Sequence, residues 1–148
     1  MNQTAILAIV LVIGIGLAGR FGSRPGHEPW VDPRLESAVA EWSRDVRSAG
    51  LDPETLLSRL DSITVSNCRR GKLGHATGRW IRIDPKVLDR GDASTRGAVY
   101  HELGHAVLDL DHGSGIMAGS IHSQEEYEYY WSVWLEEYLN LGRDAEGI

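Results

Sequence analysis

His101-Glu102-Leu103-Gly104-His105-Ala106-Val107-Leu108-Asp109-Leu110-Asp111-His112, read HELGHAVLDLDH, is the stretch from which the rest of the chain is best understood. Two histidines four residues apart on a helix project from one face with an axial offset of roughly 6 Å, so both rings converge on a single ion. Glu102 lies about 100° further round, off that line, where it accepts a proton from water instead of ligating. The spacing therefore points to zinc-dependent hydrolysis. Zinc lowers the pKa of water to about 7 and polarises a carbonyl, while the carboxylate acts as general base. Val99, Leu103, Ala106, Val107 and Leu110 form one apolar stripe, with His101 and His105 turned nearly the opposite way. This predicts an amphipathic helix that starts near Ala93 to Thr95, with Asp92 or Ser94 as N-cap, and ends at about Asp109.

A catalytic zinc site takes three protein ligands and leaves one position open. His112 on a continuing helix would sit roughly 10 Å along the axis, too far to share the ion, so the helix has to end first. Gly113-Ser114-Gly115 ends it, and a turn through Leu110 and Asp111 brings either Asp111 or His112 back to the metal. His112 is preferred and Asp111 is second. Glu125, twenty residues past His105, is a third alternative, as a ligand from the next helix. Ser123-Gln124-Glu125-Glu126, however, reads as a capping box, which gives Glu126 a structural role and leaves Glu125 in an acidic first turn.

With these residues the segment from Ser94 to Ala118 resembles the metzincin clan of zinc metallopeptidases, whose pattern is H-E-x-x-H-x-x-G-x-x-H followed by a methionine turn. His101, Glu102 and His105 match its first half, and Gly113-Ser114-Gly115-Ile116-Met117 looks like the methionine turn. Leu108 replaces the turn-making glycine, and the last histidine comes one residue late, with Asp111 in register. The resemblance implies a minimal zincin-like domain, Zn2+ as cofactor and a peptide or protein substrate. A weaker resemblance, to an rRNA-maturation endoribonuclease family with H-x-x-x-H and a later D-H, lacks a counterpart of Glu102.

The 148 residues leave room for one domain, and Cys68, the only cysteine, excludes an intrachain disulfide and a cysteine zinc cluster. A net charge of −6 argues against nucleic acid as a primary partner. Thr4 to Gly19 is an uncharged apolar run, so residues 1–22 read as a membrane segment or an export signal and 23–31 as a Gly/Pro-rich linker. The domain is expected over 32–148. Asp32-Pro33 marks the start of a helix with Leu35, Val39, Trp42, Val46 and Ala49 on its core face. A short helix over Pro53 to Leu60 and a strand around Ile63 and Val65 follow. Asn67 to Gly78 reads as a loop or hairpin connection containing a solvated His75, and Arg79 to Asp84 as a strand. Trp80 to Asp84 is a candidate sheet edge for an extended substrate, or equally an internal strand with Ile81 and Ile83 in the core. Tyr127, Tyr130, Trp131, Trp134, Tyr138 and Leu141 face a last helix, with Tyr127 and His122 as weak candidates for oxyanion stabilisation.

The expected class is thus α+β, with a small sheet, an active-site helix and a C-terminal aromatic helix. The rival function is a non-catalytic, zinc-stabilised, membrane-anchored interaction module.

Overall fold

The computed structural model describes residues 22–148, so the apolar run Thr4 to Gly19 lies outside the described residues. No helix among the described residues is long and apolar enough to cross a membrane. The architecture is α+β, with one four-stranded sheet covered on one face by helices.

In chain order the elements are β1 (Trp30–Val31), α1 (Glu36–Ser48), α2 (Pro53–Leu57), β2 (Ser62–Val65), β3 (Gly74–Thr77), β4 (Trp80–Ile83), α3 (Pro85–Leu88), α4 (Asp92–Val107) and α5 (Gln124–Glu146). Single 3-10 turns stand at Arg69–Gly71 and Gly115–Met117. The strand order is β1-β2-β4-β3, with β1, β2 and β4 parallel and β3 antiparallel to β4. Ile63 pairs with Ile81 and Val65 with Ile83, so the inward face is aliphatic, and the three isoleucines are fully buried. On the other face Trp30, Ser62 and Trp80 form one cross-strand row, and both tryptophans are exposed.

The sheet differs from the sequence reading in two ways. Of the two readings of Trp80 to Asp84 the internal strand with Ile81 and Ile83 in the core is the one found, and the edge is β3, inside the stretch read as a connection. Gly74-His75-Ala76-Thr77 carries no large apolar residue, so alternation gives it no signal; the two-residue hairpin Gly78-Arg79, with Gly78 at φ +55°, holds it against β4. His75 is exposed, as expected, but on a strand. Trp30 and Val31, read as the end of a linker, form β1 instead. Before them His27 Nε2 meets the Leu60 carbonyl at 2.9 Å and Arg24 pairs with Asp61.

Two helix starts also move. Asp32 does not cap α1; its carboxylate accepts from the backbone and guanidinium of Arg34, and the helix begins at Glu36. Neither Asp92 nor Ser94 caps α4. Gly91 at φ +107° precedes it, Asp92 is its first residue, and Ser94 is buried. The cap of α2 by Asp52 and the capping box of Ser123 and Glu126 on α5 are present.

The helix α4 is not one-sided. It is buried nearly all round, packed against α1, α3, α5, β3 and β4. Ala93, Ser94, Gly97, Ala98 and Gly104 let these neighbours approach, and such small residues do not register in a count of apolar side chains. A buried polar string joins the three long helices: Trp42 Nε1–H donates to Tyr138 Oη at 3.0 Å, and Tyr138 Oη–H donates to the Tyr100 carbonyl at 2.9 Å. Tyr100 Oη–H in turn donates to Asp45 at 2.6 Å. Arg59 fastens the other end, donating to the Val107 carbonyl at 2.6 Å while it pairs with Glu146. The site is therefore built on an immobilised helix.

Candidate metal centre

His101 and His105 are half-buried on the one side of α4 left open by its neighbours. Each ring is fixed through Nδ1. His101 Nδ1–H donates to the Ile116 carbonyl at 2.8 Å, and His105 Nδ1–H donates to the Leu110 carbonyl at 2.6 Å. A carbonyl only accepts, so the proton of each neutral ring sits on Nδ1 and the Nε2 lone pairs point into the site. Those two Nε2 atoms are 3.0 Å apart. Burial pushes His101 down to about 4 and lowers His105 as well, so both rings are neutral at pH 7. Two facing lone pairs at this distance repel unless a cation is shared between them. Tetrahedral zinc spaces its ligand atoms by about 3.3 Å, close to the observed separation.

His112 joins the pair. One ligand atom from each of the three histidines lies within 4.8 Å of the others, and the His112 ring is 5.2 Å from His101 and 4.7 Å from His105. Asp111 and Glu125, the other two candidates, are exposed and outside this cluster. The turn that returns His112 follows from the end of α4 at Val107. Asp109 takes a left-handed conformation, φ +58°, and the Leu110 N–H donates back to the Gly104 carbonyl at 3.0 Å. A non-glycine residue in that conformation carries a penalty of roughly 1–2 kcal/mol. Asp109→Gly is therefore expected to keep the fold and the histidine cluster, whereas Asp109→Val lowers stability by about 1–2 kcal/mol and loosens His112; thermal denaturation with zinc titration checks both.

The turn Gly115–Met117 makes two contacts with α4. The Ile116 carbonyl orients His101, and Met117, 2 % exposed, lies beneath α4 at Gly104. A Cβ on Gly104 would come within 2.5 Å of Met117 Sδ, so the glycine inside H-E-L-G-H is where the methionine seats. The sequence reading did not assign this role to Gly104.

Glu102 is 6 % exposed, and its carboxylate faces β3. The Ala76 N–H donates to it, and a Cβ on Gly74 would fall 2.3 Å from Oε1. Burial pushes the carboxyl up to about 7, against the opposing pull of Ala76 N–H and the Lys72 charge. Glu102 lines the same cleft of about 580 Å³ as the three histidines. The cleft has β3 and the turn before it on one wall and Ala118 to Ile121 on the other.

No protein-family model, curated protein or solved structure matches this chain. The functional reading thus rests on the residues themselves. Of the two residues considered for oxyanion stabilisation, Tyr127 is buried against Gly97, and His122 contacts the Gly115 carbonyl and stacks on Trp134. Neither lines the cleft. Cys68 is a free, partly buried thiol whose pKa is raised by burial, in keeping with a structural position.

Proposed function

We propose that this protein is a zinc-dependent peptidase built on a minimal zincin-like domain. His101, His105 and His112 hold the metal, and Glu102 is the general base. The observation that carries this reading is the pair of Nε2 lone pairs facing each other at 3.0 Å, with a third imidazole alongside and a buried carboxylate in the same cleft. When bound, zinc supplies the Lewis acidity that makes water a nucleophile at neutral pH and polarises a carbonyl. Glu102 takes a proton at its carboxylate and returns it to the leaving amine, a task suited to a group whose pKa is near 7. The Ile116 and Leu110 carbonyls keep the two rings in the ligating tautomer.

The outer edge of β3 runs beside Glu102, which accepts its Ala76 N–H, and no other strand covers that edge among the described residues, so an extended peptide can be added there as a further strand. The edge role first considered for Trp80 to Asp84 thus passes to Gly74–Thr77. The resemblance to metzincins is also helped by the turn. Asp109 stands three residues before His112, the interval between glycine and last histidine in that pattern, so the left-handed residue and the third histidine are both late by one. The apolar run Thr4 to Gly19 supports anchoring to a membrane, or export if it is cleaved. A purely structural zinc module has no need of a buried carboxylate beside the ligands, which favours the enzyme.

The test is metal content and hydrolysis of an unfolded protein substrate by the full chain. One zinc per chain is expected in the parent and in Asp111→Ala and Glu125→Ala, with loss of stoichiometric zinc and of hydrolysis in His112→Ala. Full zinc retention in His112→Ala would remove it from the ligand set. Zinc binding without hydrolysis of any substrate would favour the interaction module.

A further inference from the structure

We propose that the cleft selects peptides with acidic side chains, and that Arg70, Lys72 and Arg90 select them. This rests on the peptidase reading of the same site. All three cations line the cleft and are exposed, and none has a carboxylate partner among the described residues. Elsewhere in the fold Arg34, Arg59, Arg79 and Arg96 are paired with Asp32, Glu146, Asp61 and Glu41, while Arg44, Arg69, Arg82 and Arg143 also lack an ion pair among the described residues but do not line the cleft. Among the described residues Glu102 is the only carboxylate lining the cleft, and it is buried at the back. The wall is therefore positive on a chain whose net charge is −6.

Such a local inversion of sign draws anionic ligands into the cleft and repels cationic ones. The backbone contributes to the arrangement. Arg70 is held at φ 59°, ψ 32°, and is followed by Gly71 at φ +71°, so a left-handed turn directs an arginine to the rim where a glycine would be less strained. Lys72 lines the cleft together with Glu102, while Arg90 stands at the entry to α4. A peptide lying along β3 sends alternate side chains toward this wall.

The experiment uses full chain loaded with zinc and three matched fluorescent peptides, acidic, neutral and basic, together with a single-stranded RNA oligonucleotide. Binding is read by anisotropy on the Glu102→Gln variant, and kcat/KM on the parent. The expected result is a preference of about tenfold or more for the acidic peptide at low salt, shrinking in 0.5 M salt as exposed charges are screened. Lys72→Glu with Arg90→Glu should reverse the order of acidic and basic peptides with zinc content unchanged. Equal binding of the three peptides, an order insensitive to the charge reversal, or RNA binding tighter than every peptide would overturn the proposal. Failure of the peptidase reading looks different: no peptide is turned over by the parent, whatever the order of binding.

Discussion

Zinc-loaded Glu102→Gln and Glu102→Ala proteins are expected to keep their metal and to lose peptide hydrolysis by about 10²–10⁴-fold, the usual contribution of a positioned general base. The carboxylate is not one of the three clustered imidazoles, so metal binding has no reason to fall. It is buried with a pKa near 7, a poor position for stability and a good one for taking a proton. The Gln variant removes that burial cost and should melt no lower than the parent. Gly74→Ala reaches the same residue from β3. The new Cβ would lie 2.3 Å from Glu102 Oε1, 2.9 Å from Cδ and 3.0 Å from Cγ, so the whole carboxylate end of the side chain has to turn away from β3. Its expected signature is lowered kcat with zinc content and melting temperature near those of the parent. Metal analysis, kcat and thermal denaturation on the same preparations check all three variants. More than a tenth of the parent rate in Glu102→Gln would remove Glu102 as base.

The parts of this site that can be read from sequence are those carried by periodicity and spacing. His101, Glu102 and His105 fall on one helix because four-residue spacing on a helix leaves no other outcome. The capping box at Ser123 is legible for the same reason, and so is part of the aromatic stripe: Tyr127 and Tyr138 are buried, whereas Tyr130 and Leu141 are exposed. What escapes is whatever depends on small residues or on a single backbone angle. Gly74-His75-Ala76-Thr77 becomes a strand through its hairpin with β4 and its contact with Glu102, not through any propensity of its own. The choice of His112 over Asp111 turns on Asp109 adopting φ +58°, a conformation that aspartate tolerates but does not announce. The sequence alone leaves both residues open, and the path of the chain past Val107 is what brings His112 into the cluster with His101 and His105.

Small residues also carry the second large effect, in the contact between α4 and α5. At Gly97 the two helices are so close that a Cβ would lie 2.2 Å from Tyr127 Cζ, 2.4 Å from Cε1 and 2.6 Å from Oη. Tyr127 is 1 % exposed, so its ring has nowhere to swing, and the strain of Gly97→Ala falls on the helix packing. Against this stands the gain in helix propensity from glycine to alanine, about 1 kcal/mol. Overpacking of this severity costs about 1–3 kcal/mol and occasionally more, and a clash with a trapped ring belongs at the upper end, so destabilisation wins. A fall in melting temperature of roughly 5–10 °C is expected. Because α5 also covers the turn Gly115–Met117 beneath the histidine cluster, zinc affinity should fall together with stability if that cluster holds the metal. Shrinking the ring is the diagnostic. In a Tyr127→Leu background Gly97→Ala should lose most of its cost, and the coupling between the two positions, measured as a double-mutant cycle in denaturant, should exceed 1 kcal/mol. Additive effects would mean that α5 can shift to admit the methyl group, and that the close approach at Gly97 does not hold the two helices in register.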